Sequence, residues 1–256
     1  MELRRQFNLC DMESLKKEEC AGLRNLIVRG IVRERPLHRL AKQPGRNGII
    51  AEIKPASPLA GEIKPVDPRA QAQCYTRGGA CAVSVLTDNR FFGGTWSNLY
   101  SAAAIDVPVL CKEFIFFPEQ IDVAWTLGAD MVLLIARALS RERLRDLFSH
   151  VCVRGMLPMV EVHHPDELDG VLALQPSHVL VNSRNLNTLA IDNATAMKTI
   201  SLLPKDVTAV WASGIESAED VKRIKNETGT HFFLVGSALM KSDDPESFVK
   251  ELRDVR

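Results

Sequence analysis

Gly48–Gly61 reads GIIAEIKPASPLAG. Its opening run, Ile49-Ile50-Ala51, is apolar, rich in β-branched residues and too short for a helix, so it reads as a buried strand. Charge then breaks the run, with Glu52 and Lys54 two positions apart. Residues i and i+2 of a strand face the same side, so an acid and a base project together at its C-terminal end. Pro55 and Ser57-Pro58 stop the strand and open a loop. A surface strand can carry such a pair idly. The two readings separate on whether later strands also end in polar groups.

Downstream the chain alternates. Pro68–Arg77 reads as a helix with Asp67 as N-cap and Gly78-Gly79 as its stop. Ala80–Leu86 is a strand leading into the polar and aromatic loop Thr87–Gly94, and Asn98–Ala104 is a short helix. Pro108–Glu113 is a strand ending in Lys112 and Glu113. Pro118–Leu127 is a helix closed by Gly128, and Asp130–Ala136 a strand without a charged tip. Arg141–Arg154 is a helix between Ser140 and Gly155. The strand Leu157–Val162 carries Glu161 near its end, followed by a helix over Pro165–Leu174. His178–Asn182 is a strand running into Ser183-Arg184-Asn185, then a helix over Asn193–Leu203. Thr208–Trp211 is a strand followed by Ala212-Ser213-Gly214, then a helix over Ala218–Glu227. His231–Val235 is a strand followed by Gly236-Ser237, and Pro245–Val255 is the last helix. About eight strand–helix repeats imply a parallel sheet under outer helices, and their number and length predict a closed (β/α)8 barrel of the TIM type. No GxGxxG follows the first strand, which leaves a dinucleotide fold little support.

Upstream, residues 1–47 are basic and helical in pattern, with Leu23, Leu26, Ile27 and Ile31 at helical spacing. Pro36 interrupts them and Gln43–Gly48 forms a loop. They read as a helical extension, 1–47, packed on a catalytic barrel, 48–256, the whole making one domain.

The 256 residues, 46% hydrophobic and 25% charged, suffice for one barrel-sized core. Basic and acidic residues number 32 each, so no overall charge draws the chain to nucleic acid or an anionic membrane. The six cysteines are scattered without a CxxC and read as reduced thiols of a cytoplasmic protein. The histidines lack ligand spacing, and the adjacent His163 and His164 would diverge on regular structure, which argues against a metal site. No apolar run is long enough to span a bilayer, and the start of the chain lacks a signal-peptide core.

In such a barrel the active site lies at the C-terminal ends of the strands. Those ends carry Glu52, Lys54, Lys112, Glu161, Asn182, Arg184, Ser213 and Ser237. Each has a dull explanation alone, but unrelated surface residues would not gather at one end of so many strands. Ser213-Gly214 and Gly236-Ser237 follow the seventh and eighth strands, where this fold grips phosphate and where glycine lets an anion approach the backbone.

The segments GIIAEIKPASP (48–58), SVLTDNRFFGG (84–94), VLCKEF (109–114), MVEVH (159–163), VNSRNLNTLAID (181–192), SGI (213–215) and FLVGSALM (233–240) resemble, in order, the motifs of indole-3-glycerol phosphate synthases. The resemblance spans about residues 47–245. It implies ring closure of 1-(2-carboxyphenylamino)-1-deoxyribulose 5-phosphate with loss of carbon dioxide and water, a step of tryptophan biosynthesis that needs no metal or organic cofactor. It implies Lys112 as general acid, Glu161 as the proton-transferring glutamate, Lys54 as a second essential lysine and Glu52 as the carboxylate that orients both lysines. It implies Phe92 and Phe114 as walls around the anthranilate ring. Asn182, Arg184 and Leu186 then hold the rest of the substrate, and Ser57, Ser213, Gly214, Gly236 and Ser237 lie on the phosphate side. The expected partner is a small phosphorylated substrate, without nucleic acid or membrane, bound by a monomer or weak homo-oligomer.

The residue types suit that chemistry. Turning a ketone into an alcohol needs a placed acid, decarboxylation a nearby cation, and dehydration an acid and a base. A lysine among other cations is expected to have a lowered pKa. Two departures stand out. The family's ESGI is here Ala212-Ser213-Gly214-Ile215, and its SPSxG is here Ser57-Pro58-Leu59-Ala60-Gly61. Loss of the glutamate raises the alternative of a weakly active or non-catalytic homologue that only binds the phosphorylated ligand.

Overall fold

In the computed structural model the described residues are 7–28, 33–41, 43–59, 61–186 and 188–256. Ile31, which the helical spacing put on the first helix, and Ala60 lie outside them. A helix, α1 (Met12–Val28), precedes the first strand, β1 (Gly48–Ile53). Then follow α2 (Pro68–Gly78), β2 (Ala82–Leu86), α3 (Trp96–Ala102), β3 (Val109–Lys112) and α4 (Pro118–Thr126). Next come β4 (Met131–Ile135), α5 (Arg141–Val153), β5 (Leu157–Val162), α6 (Leu168–Leu172), β6 (His178–Asn182) and α7 (Asn193–Ser201). The chain closes with β7 (Thr208–Ala212), α8 (Ala218–Thr228), β8 (Phe232–Val235), α9 (Ser237–Lys241) and α10 (Pro245–Asp254).

The eight strands pair in parallel in chain order, and β8 pairs back to β1, so the sheet is a closed barrel. This is the (β/α)8 architecture expected from the alternation. Caps fix the helix ends where the sequence put them. The Asp67 side chain accepts from the N–H groups of Arg69 and Ala70 at the start of α2, and Gly79 ends it at φ 88°. Ser140 accepts from the Arg143 N–H at the start of α5. Some boundaries differ. The Thr95 side chain caps α3, which therefore starts at Trp96 rather than Asn98. The segment after β5 is a 3-10 turn, Pro165–Glu167, followed by only five α-helical residues that include Gly170. Proline and glycine both weaken a regular helix there.

Side chains alternate across the strands. Ile50, Leu110, Met131, Met159, Leu180, Val210 and Phe232 share one buried cluster inside the barrel. Ile49, Ala51, Val83, Val132, Val160 and Trp211 pack outward against the helices. The same parity carries Glu52, Lys112, Glu161, Asn182 and Ala212 to the inner face at the strands' C-terminal ends.

The segment before β1 packs along the barrel. Met12 and Leu15 of α1 join the cluster that holds Phe114 and Phe116, and Leu23 and Cys20 pack on Val123 of α4. Arg33 and Arg35 both reach the buried Asp130 ahead of β4, at 2.6 and 3.1 Å. The Asn47 amide donates to the carbonyls of Leu252 and Val255. Among the described residues no helix is long and apolar enough to cross a membrane.

Candidate active site

Glu52 is the centre of the charged cluster. It is the inward residue at the end of β1, where burial alone would hold its carboxyl neutral. Lys112 and Lys54 outweigh that and keep it ionised, below its ordinary value. Its Oε1 lies 3.1 Å from Lys54 Nζ and its Oε2 3.4 Å from Lys112 Nζ. One carboxylate thus holds two ammonium groups, one just beyond its own strand and one from the end of β3, across β2. The expectation of a lowered lysine pKa is not met for Lys112. Burial pushes its ammonium down, but Glu52 and Glu161 together hold it above its ordinary value. The decisive neighbours are carboxylates, not cations.

Glu161 stands on the inner face of β5 and is 1% exposed. Burial again opposes its charge, and His163, Lys112 and Asn182 overcome it, so the carboxylate is ionised below its ordinary range. Asn182 Nδ2 donates to Glu161 Oε1 at 3.2 Å, and its own Oδ1 accepts from the Arg184 N–H at 3.0 Å. His163 Nε2 lies 3.1 Å from the same Glu161 Oε1. Glu161 Oε2 is buried without a hydrogen-bond partner.

A cavity of about 680 Å³ is lined by Glu52, Lys54, Lys112 and Asn182, whereas the buried Glu161 and His163 do not line it. Arg184 and Leu186 line it from the loop after β6, where the Arg184 guanidinium donates to the Leu189 carbonyl at 2.8 Å. Ser57 and Phe92 line it from the loops after β1 and β2. Those two loops are joined by the Ala56 N–H donating to the Phe92 carbonyl at 3.0 Å. Leu59, in place of the expected second serine, is 61% exposed at the rim. Phe114 does not line the cavity: it stands behind Phe92, ring centroids 6.1 Å apart. Phe7, from ahead of α1, packs on Phe114 at 5.8 Å and does line it.

On the other side, Ser213, Gly214, Gly236 and Ser237 line the same cavity. Ser213 and Gly214 have φ of 73° and 68°, two successive left-handed residues that turn the chain sharply after β7. The Trp211 indole N–H fixes that turn by donating to the Ser213 carbonyl at 2.9 Å. Gly236 caps α9 without a side-chain hydrogen bond, so first-turn N–H groups lack partners within the helix. A Cβ on Gly236 would collide with the Glu52 carboxylate. The glycine after β8 is what gives that carboxylate its room. Ala212 lies at the end of β7, in register with Asn182 and Leu234.

A second charged cluster lies beside the first. Lys16 of α1 is 1% exposed, and its Nζ sits 2.8 Å from Asp88 and 3.0 Å from Glu113. Burial pushes the Glu113 carboxyl up to about 7, although Lys16 pulls the other way. The Thr87 hydroxyl and the Phe114 N–H donate to Glu113, and the Phe91 N–H to Asp88. The cluster therefore ties the loops that carry Lys112, Phe114, Phe91 and Phe92. Sequence reasoning missed Lys16, Phe7 and His163. Only His163 had a local signal: it stands two residues beyond Glu161, as Lys54 stands beyond Glu52. Among the described residues no three His, Cys, Asp or Glu side chains gather as metal ligands would.

The family model described as indole-3-glycerol phosphate synthase matches residues 12–252. A protein of that name from Bacillus cereus is 39% identical over 242 residues, covering 93% of this chain and 94% of its own length. One from Bacillus mycoides is 40% identical over 224 residues, covering 86% and 88%. Among solved structures, a 3-hexulose-6-phosphate synthase superposes with TM-score 0.62 at 14% identity, over 80% of this chain and 97% of that one. A thiamine phosphate pyrophosphorylase from Pyrococcus furiosus gives 0.59 at 16% identity, over 81% and 94%. At such identities the two structures share the barrel alone.

Proposed function

Since the chain belongs to the indole-3-glycerol phosphate synthase family, we propose that its charged cluster carries out that family's ring closure. The activity is that of a carboxy-lyase of tryptophan biosynthesis, and the substrate a phosphorylated small molecule. Lys112 protonates the ketone oxygen as the aromatic ring attacks, the ketone becoming an alcohol. Ring closure leaves a positive iminium at the substrate nitrogen, which takes up the electrons of the broken carbon–carboxylate bond as carbon dioxide leaves, with Lys54 beside that carboxylate. Lys54, still protonated, then gives its proton to the hydroxyl so that it leaves as water, and Glu161 takes the proton whose loss restores aromaticity. Arg184 and Asn182 orient the carboxylate and hydroxyls, and Phe92, with Phe114 behind it, flanks the anthranilate ring. Ser57, Ser213-Gly214 and Gly236-Ser237 hold the phosphate.

The observation that carries these roles is the Glu52 carboxylate between two lysines, all three lining one cavity. It keeps an acid of high pKa protonated at neutral pH beside a base that is ionised. Nothing favours a homologue that only binds. Lys54, Lys112 and Glu161 are all present, and Ala212 leaves their contacts intact. Residues 1–47 serve as an extension packed on the catalytic barrel of 48–256. We assign the protein to the cytoplasm as a monomer or weak homo-oligomer that binds neither membrane nor nucleic acid. The free thiols suit a reducing compartment. The test is incubation of the purified chain with the carboxyphenylamino substrate, followed by indole fluorescence. Formation of the indole product is expected; binding without turnover would overturn the reading.

A further inference from the structure

His163 stands two residues beyond Glu161, on the same inward parity of the chain as it leaves β5. Its side chain is 3% exposed, and its Nε2 is 3.1 Å from Glu161 Oε1. Neither ring nitrogen makes a hydrogen bond of good geometry, so Nε2 is within ion-pair range but off the hydrogen-bond line. Burying an imidazole without partners costs free energy unless it serves a neighbour. The neighbour it meets is the carboxylate proposed as the base.

The geometry around Glu161 is lopsided. Asn182 Nδ2 and His163 Nε2 both converge on Oε1, at 3.2 and 3.1 Å. Oε2 has no partner at all. The Asn182 donor and the facing His163 nitrogen hold the carboxylate by Oε1 and leave Oε2, buried and without a hydrogen bond, as the oxygen able to accept a proton. Burial opposes that arrangement, since a carboxyl removed from water tends to stay protonated. His163, Lys112 and Asn182 together keep it ionised, with His163 and Asn182 both at Oε1.

We propose that His163 is the positioning residue of Glu161: as the Nε2–H tautomer it fixes and charges the carboxylate, so that Oε2 takes the substrate proton. This rests on the reading of Glu161 as the base. The ring also lines a second cavity of about 470 Å³, outside the first, whose walls include Arg137, His164, Asp166, Glu167 and Asp192. Those are the charged groups that face His163 from the far side. Glu167 touches it directly, its Oε2 accepting the His163 backbone N–H at 3.2 Å. Toward the barrel interior the facing charges are Glu161 itself and Lys112 of β3, with Glu52 of β1 behind it.

Three measurements test this. In His163→Leu the donor is gone, so the acid limb of the kcat profile should move up by about one pH unit, with KM within about twofold. In His163→Asn a donor returns, and the limb should move back toward its original position. An acid limb unmoved in His163→Leu, whatever the loss in kcat, would mean a purely structural residue and overturn the proposal. So would an Asn variant as displaced as the Leu variant. The third measurement needs no variant: nitrogen NMR of the wild-type protein should find Nε2 protonated and Nδ1 bare at neutral pH, and the opposite tautomer would overturn the proposal even where His163→Leu fails to fold. Glu161→Gln, run in parallel, separates the two levels. If it keeps wild-type turnover, the reading of Glu161 itself falls. If it is inactive while His163→Leu keeps its pH profile, only the role of His163 falls.

Discussion

Glu52 Oε2 lies 3.4 Å from Lys112 Nζ, and this contact joins the ends of two strands around the proposed acid. Burial would discharge Lys112; Glu52 and Glu161 hold it above its ordinary value. Lys112→Ala should therefore lower kcat by about 10²–10⁴-fold with the fold intact. Glu52→Gln tests the cause. Without that carboxylate, burial weighs more heavily on Lys112, its pKa falls, and the basic limb of the kcat/KM profile moves to lower pH. A pH series on both variants checks this, and an unmoved basic limb in Glu52→Gln would sink the assignment of Lys112 as acid.

Gly236 leaves the space that the Glu52 carboxylate occupies. In Gly236→Ala the new methyl displaces Glu52 and crowds the proposed phosphate side at once. Both kcat and KM should worsen, kcat/KM falling by about 10²-fold for a displacement on the order of 1 Å. Inorganic phosphate should compete with substrate in the wild type and bind more weakly in the variant. A structure with sulfate should find the anion between Ser213-Gly214 and Gly236-Ser237. Sulfate only at the opposite barrel mouth would refute the phosphate assignment.

Lys16 is buried against two carboxylates, Asp88 and Glu113, and its removal leaves both without their cation. Lys16→Met should cost about 3–5 kcal/mol of stability, and it should raise KM, because Phe91 and Phe114 hang from those carboxylates by their N–H groups. Glu113 adds a pH signature. Its carboxyl is pushed up to about 7, so its contribution to stability is fully present below the ordinary carboxylate value and is lost as pH rises toward 7. Urea denaturation across that window should find this component of the slope absent in Glu113→Gln. A slope identical to wild type would show that Glu113 does not titrate there.

The barrel was legible because each strand is a short apolar run and helices such as α2 and α5 open on a side-chain cap written in the sequence. The site was legible where chemistry and strand parity coincide: Glu52 and Lys54 face one way because they are two apart, and they meet at 3.1 Å. The same rule applied to Glu161 would have exposed His163, but the pair His163-His164 was weighed only as metal ligands. Lys16 had no such signal. The helical spacing around it yields a covering helix, and of its partners only Glu19 is local, three residues on; the buried Asp88 lies 72 residues away in the chain and Glu113 further still. A tertiary ion pair of that kind is written in no local pattern. Phe7, ahead of the same helix, is silent for the same reason. The direction of the Lys112 shift was misjudged because its cationic neighbour was weighed above Glu52, and Glu161 was not counted beside it.

Ala212 is the departure with the sharpest consequence. It ends β7 on the inner face, in register with Asn182, whose amide serves Glu161. It is buried and lines the cavity. The inner cluster is balanced without it: Lys54 and Lys112 stand against Glu52 and Glu161, and the carboxylates already have their donors. Ala212→Glu would put a third carboxylate beside Asn182, without a cation released to meet it. Like charges at close range raise the pKa of one of them. Either the newcomer stays protonated, or Glu161 is driven up and ceases to be an ionised base at neutral pH. The Asn182 amide would also be drawn between two acceptors. We expect kcat/KM to fall by about tenfold and the acid limb to move up, the shift being about one pH unit per 1.4 kcal/mol of repulsion. Steady-state kinetics of both forms over a pH series decide it. A rise in kcat/KM would mean that the alanine is a simple loss from the family's pattern, and that the remaining carboxylates do not compensate for it.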